Sequence, residues 1–162
     1  VCSSDLAVFC TQKFGRIDDE VAKLTRKFDD IIIDSGGRDS EEIRSSMLVA
    51  DRVYIPISPS QFDLWSLTPM ATMAKKAAVL NPKMKACIIL NRASTNPSVT
   101  EAEEARDVIG DLNGLEMSSA MLRDRIAFRR AVRDGLSVVE MKHKDAKAVD
   151  EMQTLYQEIY HD

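Results

Sequence analysis

The sequence predicts an α/β domain built on a parallel sheet, and three observations carry that prediction. Short apolar runs alternate with helix-spaced apolar positions from end to end. The runs Ile31-Ile32-Ile33 and Ala86–Leu90 are continuous rather than alternating, the pattern of strands buried on both faces. The spacers between runs suit the right-handed helical crossovers that parallel strands require. A chain of 162 residues, 44% hydrophobic and 30% charged, is one-domain sized and long enough to bury a core.

Each element follows from local chemistry. Ala7–Cys10 reads as a strand. Ile17, Val21, Leu24 and Phe28 recur at helical spacing, and Asp18, Asp19 and Glu20 favour the positive end of that helix. The β-branched run Ile31–Ile33 reads as a buried strand, followed by a helix over Ser40–Ala50 and a strand over Val53–Ile57. Met70, Met73, Ala74, Ala77 and Leu80 share a face of the next helix, which Thr68 and Pro69 suit as cap and first residue. The Met-bearing faces read as core packing. Ala86–Leu90 is a strand; Ala102, Ala105, Ile109 and Leu112 mark a helix; Leu115–Met117 is a short strand. An amphipathic helix with Ala148, Val149, Met152, Leu155, Tyr156 and Ile159 closes the domain. The expected sheet has about five strands, with Ile31–Ile33 and Ala86–Leu90 inside it.

The net charge of −4 gives no global case for nucleic acid, so any such case is local. No apolar run approaches the roughly 18 residues of a membrane span. Cys10 and Cys87, both in strand-like runs, read as buried reduced thiols. His143 and His161 lack ligand-like company and read as solvated surface residues rather than a zinc site.

In parallel α/β sheets ligands bind at the carboxyl ends of strands. One run there is Asp30-Ile31-Ile32-Ile33-Asp34-Ser35-Gly36-Gly37, an apolar strand delivering a carboxylate into a glycine turn. That suits Mg²⁺ and phosphate, because the carboxylate orders the metal's water shell and glycine admits close backbone approach. It also suits an aspartate capping the helix that follows a tight turn. Ser60–Asp63 is a capping-box pattern opening a helix, and Trp65 reads as a packed residue or a partner-facing anchor. Residues 120–135 hold five arginines against Asp124 and Asp134, a local +3 within an acidic chain. Arg133 shares a helical face with Arg129 and with Arg130; the run is a solvated face or a contact for DNA phosphates.

The ordered set Asp34-Ser-Gly-Gly, Ala50-Asp-Arg-Val-Tyr-Ile-Pro-Ile-Ser-Pro-Ser-Gln-Phe-Asp-Leu64, Ile88-Ile-Leu-Asn-Arg92 and Arg125–Val138 resembles the ParA-type ATPases. These are deviant-Walker P-loop proteins that partition plasmids and chromosomes, relatives of the division-site protein MinD. The resemblance covers about residues 30–140. It implies a three-layer, parallel-sheet P-loop NTPase-like fold and a cytoplasmic, nucleoid-associated bacterial protein. The family's G-x-x-x-x-G-K-[ST] loop is missing; the sequence has no Gly-Lys pair. The hexapeptide Val1–Leu6 matches the translated end of a short-read sequencing adapter, so it is expected to be a non-native scar. Residues 7–162 are then expected to be the C-terminal three-quarters of one ATPase domain, lacking the first strand and P-loop.

Carried over residue by residue, the resemblance implies that Asp34 is the Walker B aspartate ordering Mg²⁺ through water. Ser35, Gly36 and Gly37 then form the switch sensing the γ-phosphate, and Asn91 reads the adenine edge, an amide offering donor and acceptor together. Asn91 also suits a turn satisfying its own backbone; Arg92 suits base stacking or solvent. In relatives the Ser60–Asp63 region lies near the ATP-dependent dimer face. Arg125, Arg129, Arg130 and Arg133 become contacts to nonspecific DNA. The parent protein is expected to bind ATP and Mg²⁺, form a homodimer, and be stimulated by a ParB-like centromere-binding partner. This chain alone is expected to be catalytically inactive and to bind ATP and Mg²⁺ weakly or not at all. A biosynthetic ATP-dependent ligase of the same superfamily is the alternative enzyme. A receiver-like signalling domain is the non-enzyme alternative, disfavoured because no acidic pair accompanies Asp34.

Overall fold

A computed structural model describes residues 9–36, 39–110, 112 and 114–161. Its element order is α1 (Asp18–Leu24), α2 (Glu41–Val49), β1 (Arg52–Ile57), α3 (Gln61–Leu80), β2 (Lys85–Ala93), α4 (Glu101–Gly110), β3 (Glu116–Arg123), α5 (Ile126–Arg133) and α6 (Ala146–His161). Among the described residues the sheet has three strands in the order β1-β2-β3, and both pairings are parallel. The α/β class and the parallel sheet are thus observed.

The sheet's two faces follow from strand alternation. Val53, Ile55 and Ile57 of β1, Ile88 and Leu90 of β2, and Met117 and Met121 of β3 gather on one face. Leu64 and Leu67 of α3 and Ala105 and Ile109 of α4 cover them. Leu67, Ile88, Leu90 and Ile109 are almost wholly buried, each stabilising the fold by about 2 kcal/mol on area grounds. A second cluster joins Ile43 and Met47 of α2 to Ala74 and Ala77 of α3 and to Ala86 of β2. The remaining face receives α6, whose Glu158 carbonyl accepts from Arg52 Nη1 (3.0 Å) and Tyr54 OH (3.4 Å).

Glu158 is buried, and its Oε2 is held by Ser118 Oγ (2.9 Å), Ser119 N (2.9 Å), Ser119 Oγ (2.7 Å) and Ala120 N (3.2 Å). Burial alone would raise its pKa. The hydrogen bonds from Ser119, Ser118 and the backbone of Ala120 and Ser119 outweigh that and lower it. The last helix is therefore fastened to β3 by a carboxylate as well as by apolar contact.

Several expectations are corrected. Residues 31–36 form no strand, and Ile32 is 82% exposed. A strand exists only by pairing, and among the described residues no ladder reaches this run. Phe9 and Cys10 are exposed and outside any strand, Phe9 stacking on Phe28 at 5.4 Å; residues 7 and 8 of that expected strand lie outside the described residues. Helix α3 begins not at Pro69 but at Gln61. Ser60 Oγ accepts from Asp63 N (3.3 Å) as its cap, and the helix continues through Pro69. The strand expected over Leu115–Met117 is β3, running from Glu116 to Arg123, where the Ser118 and Ser119 hydroxyls donate to Glu158 instead of opening a turn. Trp65 and Leu80 are exposed rather than packed. Cys87 is buried, as expected. His143 and His161 are exposed, and among the described residues no three His, Cys, Asp or Glu side chains could hold a metal.

Candidate functional site

The carboxyl end of the sheet is shaped by a defect in β2. Leu90 pairs with Met121 and Ala93 with Arg123, so the register shifts between them. Within that shift Arg92 has φ 58, the left-handed region that a side chain of this kind rarely occupies. Such bulges bend a strand and re-aim its side chains, and backbone strain of this type clusters at binding sites. Asn91 therefore lies inside β2 rather than after it.

Beside the bulge is a cleft of about 430 Å³, walled by Asn91 and Arg92 from β2, Arg123 at the end of β3 with Asp124 and Arg125 after it, and Phe128 and Arg129 of α5. The wall is tied down on two sides. Asp124 N donates to Ala93 O (2.8 Å), and Arg123 Nη1 donates to Ser94 O. Glu151 of α6 accepts from Arg125 Nε (2.9 Å) and Nη2 (2.7 Å) through one oxygen and from Arg123 N (3.1 Å) through the other. The Arg125 and Glu151 side chains are only 14% and 13% exposed, and the hydrogen bond to Glu151 raises the Arg125 pKa. An amide, an aromatic side chain and several arginines thus line one cleft whose walls are braced, with Phe128 also packing against the Ala131, Val138 and Ala148 cluster. That set can hold a flat heteroaromatic ring by edge hydrogen bonding and stacking.

Two groups of residues that the sequence reading kept apart share this cleft: Asn91 and Arg92 with Arg125 and Arg129. Arg125 is committed to Glu151, which leaves Arg129, Arg130 and Arg133 as the exposed arginines of α5. Arg129 pairs with Asp124 (3.4 Å) and Arg133 with Asp134 (2.9 Å), both at exposed positions where such pairs are weak. Phe128 was not anticipated as a cleft residue. Its signal was present: it stands three residues after Arg125, in the first turn of the helix that follows the strand end.

Asp34 is exposed, Ser35 half-buried and Gly36 exposed, in an irregular segment that does not line the cleft. A methyl group at Gly36 would meet nothing within 4 Å. Gly37 lies outside the described residues. One carboxylate and one hydroxyl are too few to hold a bare divalent cation; they suit a Mg²⁺ ion already carrying phosphate oxygens and water.

Against known proteins, residues 6–104 match the family model described as ATPase MipZ. The chain belongs to the ParA/MinD-type P-loop ATPase family. Its similarity to a curated relative points the same way: the chain is 32% identical over 113 residues to the Maintenance of carboxysome distribution protein A of Halothiobacillus neapolitanus. That alignment covers 70% of this chain and 51% of the relative, so the chain spans about half the length of the curated relative it matches. In this ParA-type chain the family match includes Asp34 and Asn91, while the arginines of α5 lie beyond it.

Proposed function

We propose that this chain is part of a ParA-type positioning ATPase that uses ATP-dependent association with DNA to distribute a cargo, a plasmid or chromosome in the partition systems it resembles. The observation that carries the reading is the braced cleft at the carboxyl end of β2 and β3, whose walls include Asn91, Arg92, Phe128 and the arginine-bearing loop. In this reading Asn91 pairs with the edge of adenine, and Phe128 and Arg92 cover its faces. Asp34 orders the nucleotide's Mg²⁺ through water, and Ser35, Gly36 and Gly37 respond to the terminal phosphate. Phosphoryl transfer of this kind is governed by positioning and charge stabilisation. The exposed Arg129, Arg130 and Arg133 hold DNA phosphates, and two nucleotide-loaded copies associate and answer to a ParB-like partner.

Base recognition is the testable core. Fluorescent ATP and GTP analogues titrated into the purified chain should show adenine preferred. In Asn91→Ala the preference should shrink about tenfold, the worth of one amide–base pairing. Equal affinity for the two bases in the unaltered chain, or a preference untouched by Asn91→Ala, removes this reading. Because the 162 residues contain no Gly-Lys pair, ATP turnover by this chain should stay at background.

A further inference from the structure

The cleft at Asn91 is lined by Arg92, Arg123, Arg125 and Arg129, but it is not an open set of positive charges. Arg123 Nη1 donates to Ser94 O, Arg129 pairs with Asp124 at 3.4 Å, and Arg125 donates twice to Glu151. The first partner is a neutral carbonyl, and the second is a carboxylate in an exposed pair. Only the Arg125–Glu151 pair is sheltered from water on both sides. Exposed pairs are weak and exchange readily for other ligands, whereas a sheltered, doubly bonded one is held. The second Glu151 oxygen accepts from Arg123 N (3.1 Å), which fixes the backbone where β3 ends and the wall begins.

Glu151 does not itself line the cleft. It is carried by α6, and its neighbours Ala148 and Met152 belong to the cluster on which Phe128 packs. Two turns further along the helix, Glu158 is held by Ser118, Ser119 and Ala120 of β3. One wall of the cleft, its aromatic ring and its loop alike, is therefore held from behind by the last helix. We propose that Glu151 is a positioning residue that sets what the cleft accepts, withholding Arg125 and pinning Arg123 N so that a neutral heteroaromatic ring is favoured over a bare polyanion. This role rests on the nucleotide reading of the cleft and adds to it, assigning base selectivity to a residue outside the ligand's reach. Loss of the carboxylate has two consequences of opposite sign. The wall at residues 123–125 loses its anchor, so a flat ring is held less well. The Arg125 guanidinium loses its counter-charge, so a polyanion is attracted more strongly.

The probes are adenosine, which carries the base without phosphate, and inorganic tripolyphosphate, which carries charge without a base. Each is titrated into the isotope-labelled 162-residue chain and followed by the amide shifts of Asn91, Asp124 and Phe128. Glu151→Gln keeps the side chain's volume but only one of its two accepting oxygens, and none of its charge. In that variant adenosine should bind roughly threefold to tenfold more weakly, and tripolyphosphate more tightly by a similar factor. Adding Arg125→Gln should return tripolyphosphate to its affinity for the unaltered chain while adenosine stays weak. A merely structural brace would weaken both ligands together, and that result overturns the proposal. An adenosine affinity unmoved by Glu151→Gln overturns it too, as does a tripolyphosphate gain that survives Arg125→Gln. All three results leave the nucleotide reading standing. Failure of adenosine to shift Asn91 in the unaltered chain removes that reading, and the role of Glu151 with it.

Discussion

Arg92 holds a left-handed backbone conformation one residue before the end of β2, at a cost of about 1 kcal/mol that the bulge around it must offset. Arg92→Gly should therefore raise stability by about 0.5–1 kcal/mol in urea unfolding, because glycine adopts this conformation without strain. A loss of stability would mean that the arginine side chain contributes more than its backbone costs. Glu158 is the opposite case, a side chain whose burial is repaid by donors from Ser118, Ser119 and Ala120. Glu158→Ala should cost about 3 kcal/mol at neutral pH, since it strands several of those donors. The sign of its pH dependence follows from the lowered pKa. Its stabilisation is fully present above the unfolded glutamate value of about 4.3 and is lost as pH falls through the lower folded value. Unfolding midpoints of the unaltered chain and Glu158→Ala should thus converge in acid and separate at neutral pH; a constant gap would contradict the account.

Among the elements, α2 was legible almost to the residue, because Ser40 is a cap that accepts from Ile43 N (3.4 Å) and the acids Glu41 and Glu42 follow it. In α3 two start signals competed. Ser60, backed by Asp63 accepting from Ser58 N (3.1 Å), prevailed over Thr68-Pro69, since a proline mid-helix costs less than losing a capped turn with Leu64 and Leu67 buried. Ser60→Ala should lower stability by about 1 kcal/mol in thermal or urea unfolding, and Thr68→Ala by much less. Pairing between strands was harder to read, because it depends on partners distant in sequence. The apolar pattern of Ile31–Ile33 matched that of Ala86–Leu90, yet only the second run has strand neighbours on both sides. The shared helical face of Arg129, Arg130 and Arg133 was read from their spacing, but not the withdrawal of Arg125 by Glu151, 26 residues away. Its outer arginines remain testable. Nonspecific duplex binding should weaken with salt by a log–log slope of about −0.9 per phosphate contacted. Arg129→Ala with Arg133→Ala should flatten that slope by roughly two units, equally on unrelated sequences; an unchanged slope would assign both to ordinary solvated surface.

At the scale of the whole molecule, a parallel sheet, a strained bulge and a braced cleft meet at one end of the sheet, the end proposed to receive the nucleotide. The carboxyl end of β2 was legible as the place to look, because α/β sheets place ligands there, whereas the strand expected before Asp34 is not formed. The cleft's far wall was not legible, since it comes from the loop after β3 and is positioned by Glu151 of α6. Asp34 and Asn91 were expected to act together, and only Asn91 lines the cleft. The most direct measurement is therefore a residue-resolved one. Amide shifts of the isotope-labelled 162-residue chain, titrated with ATP to millimolar concentration, should move together at Asn91, Arg92, Arg123, Asp124 and Phe128. The titration should fit one binding constant that Asn91→Ala weakens. Shifts confined to other surfaces, or no shifts at saturating ATP, would contradict the assignment of this cleft to the nucleotide.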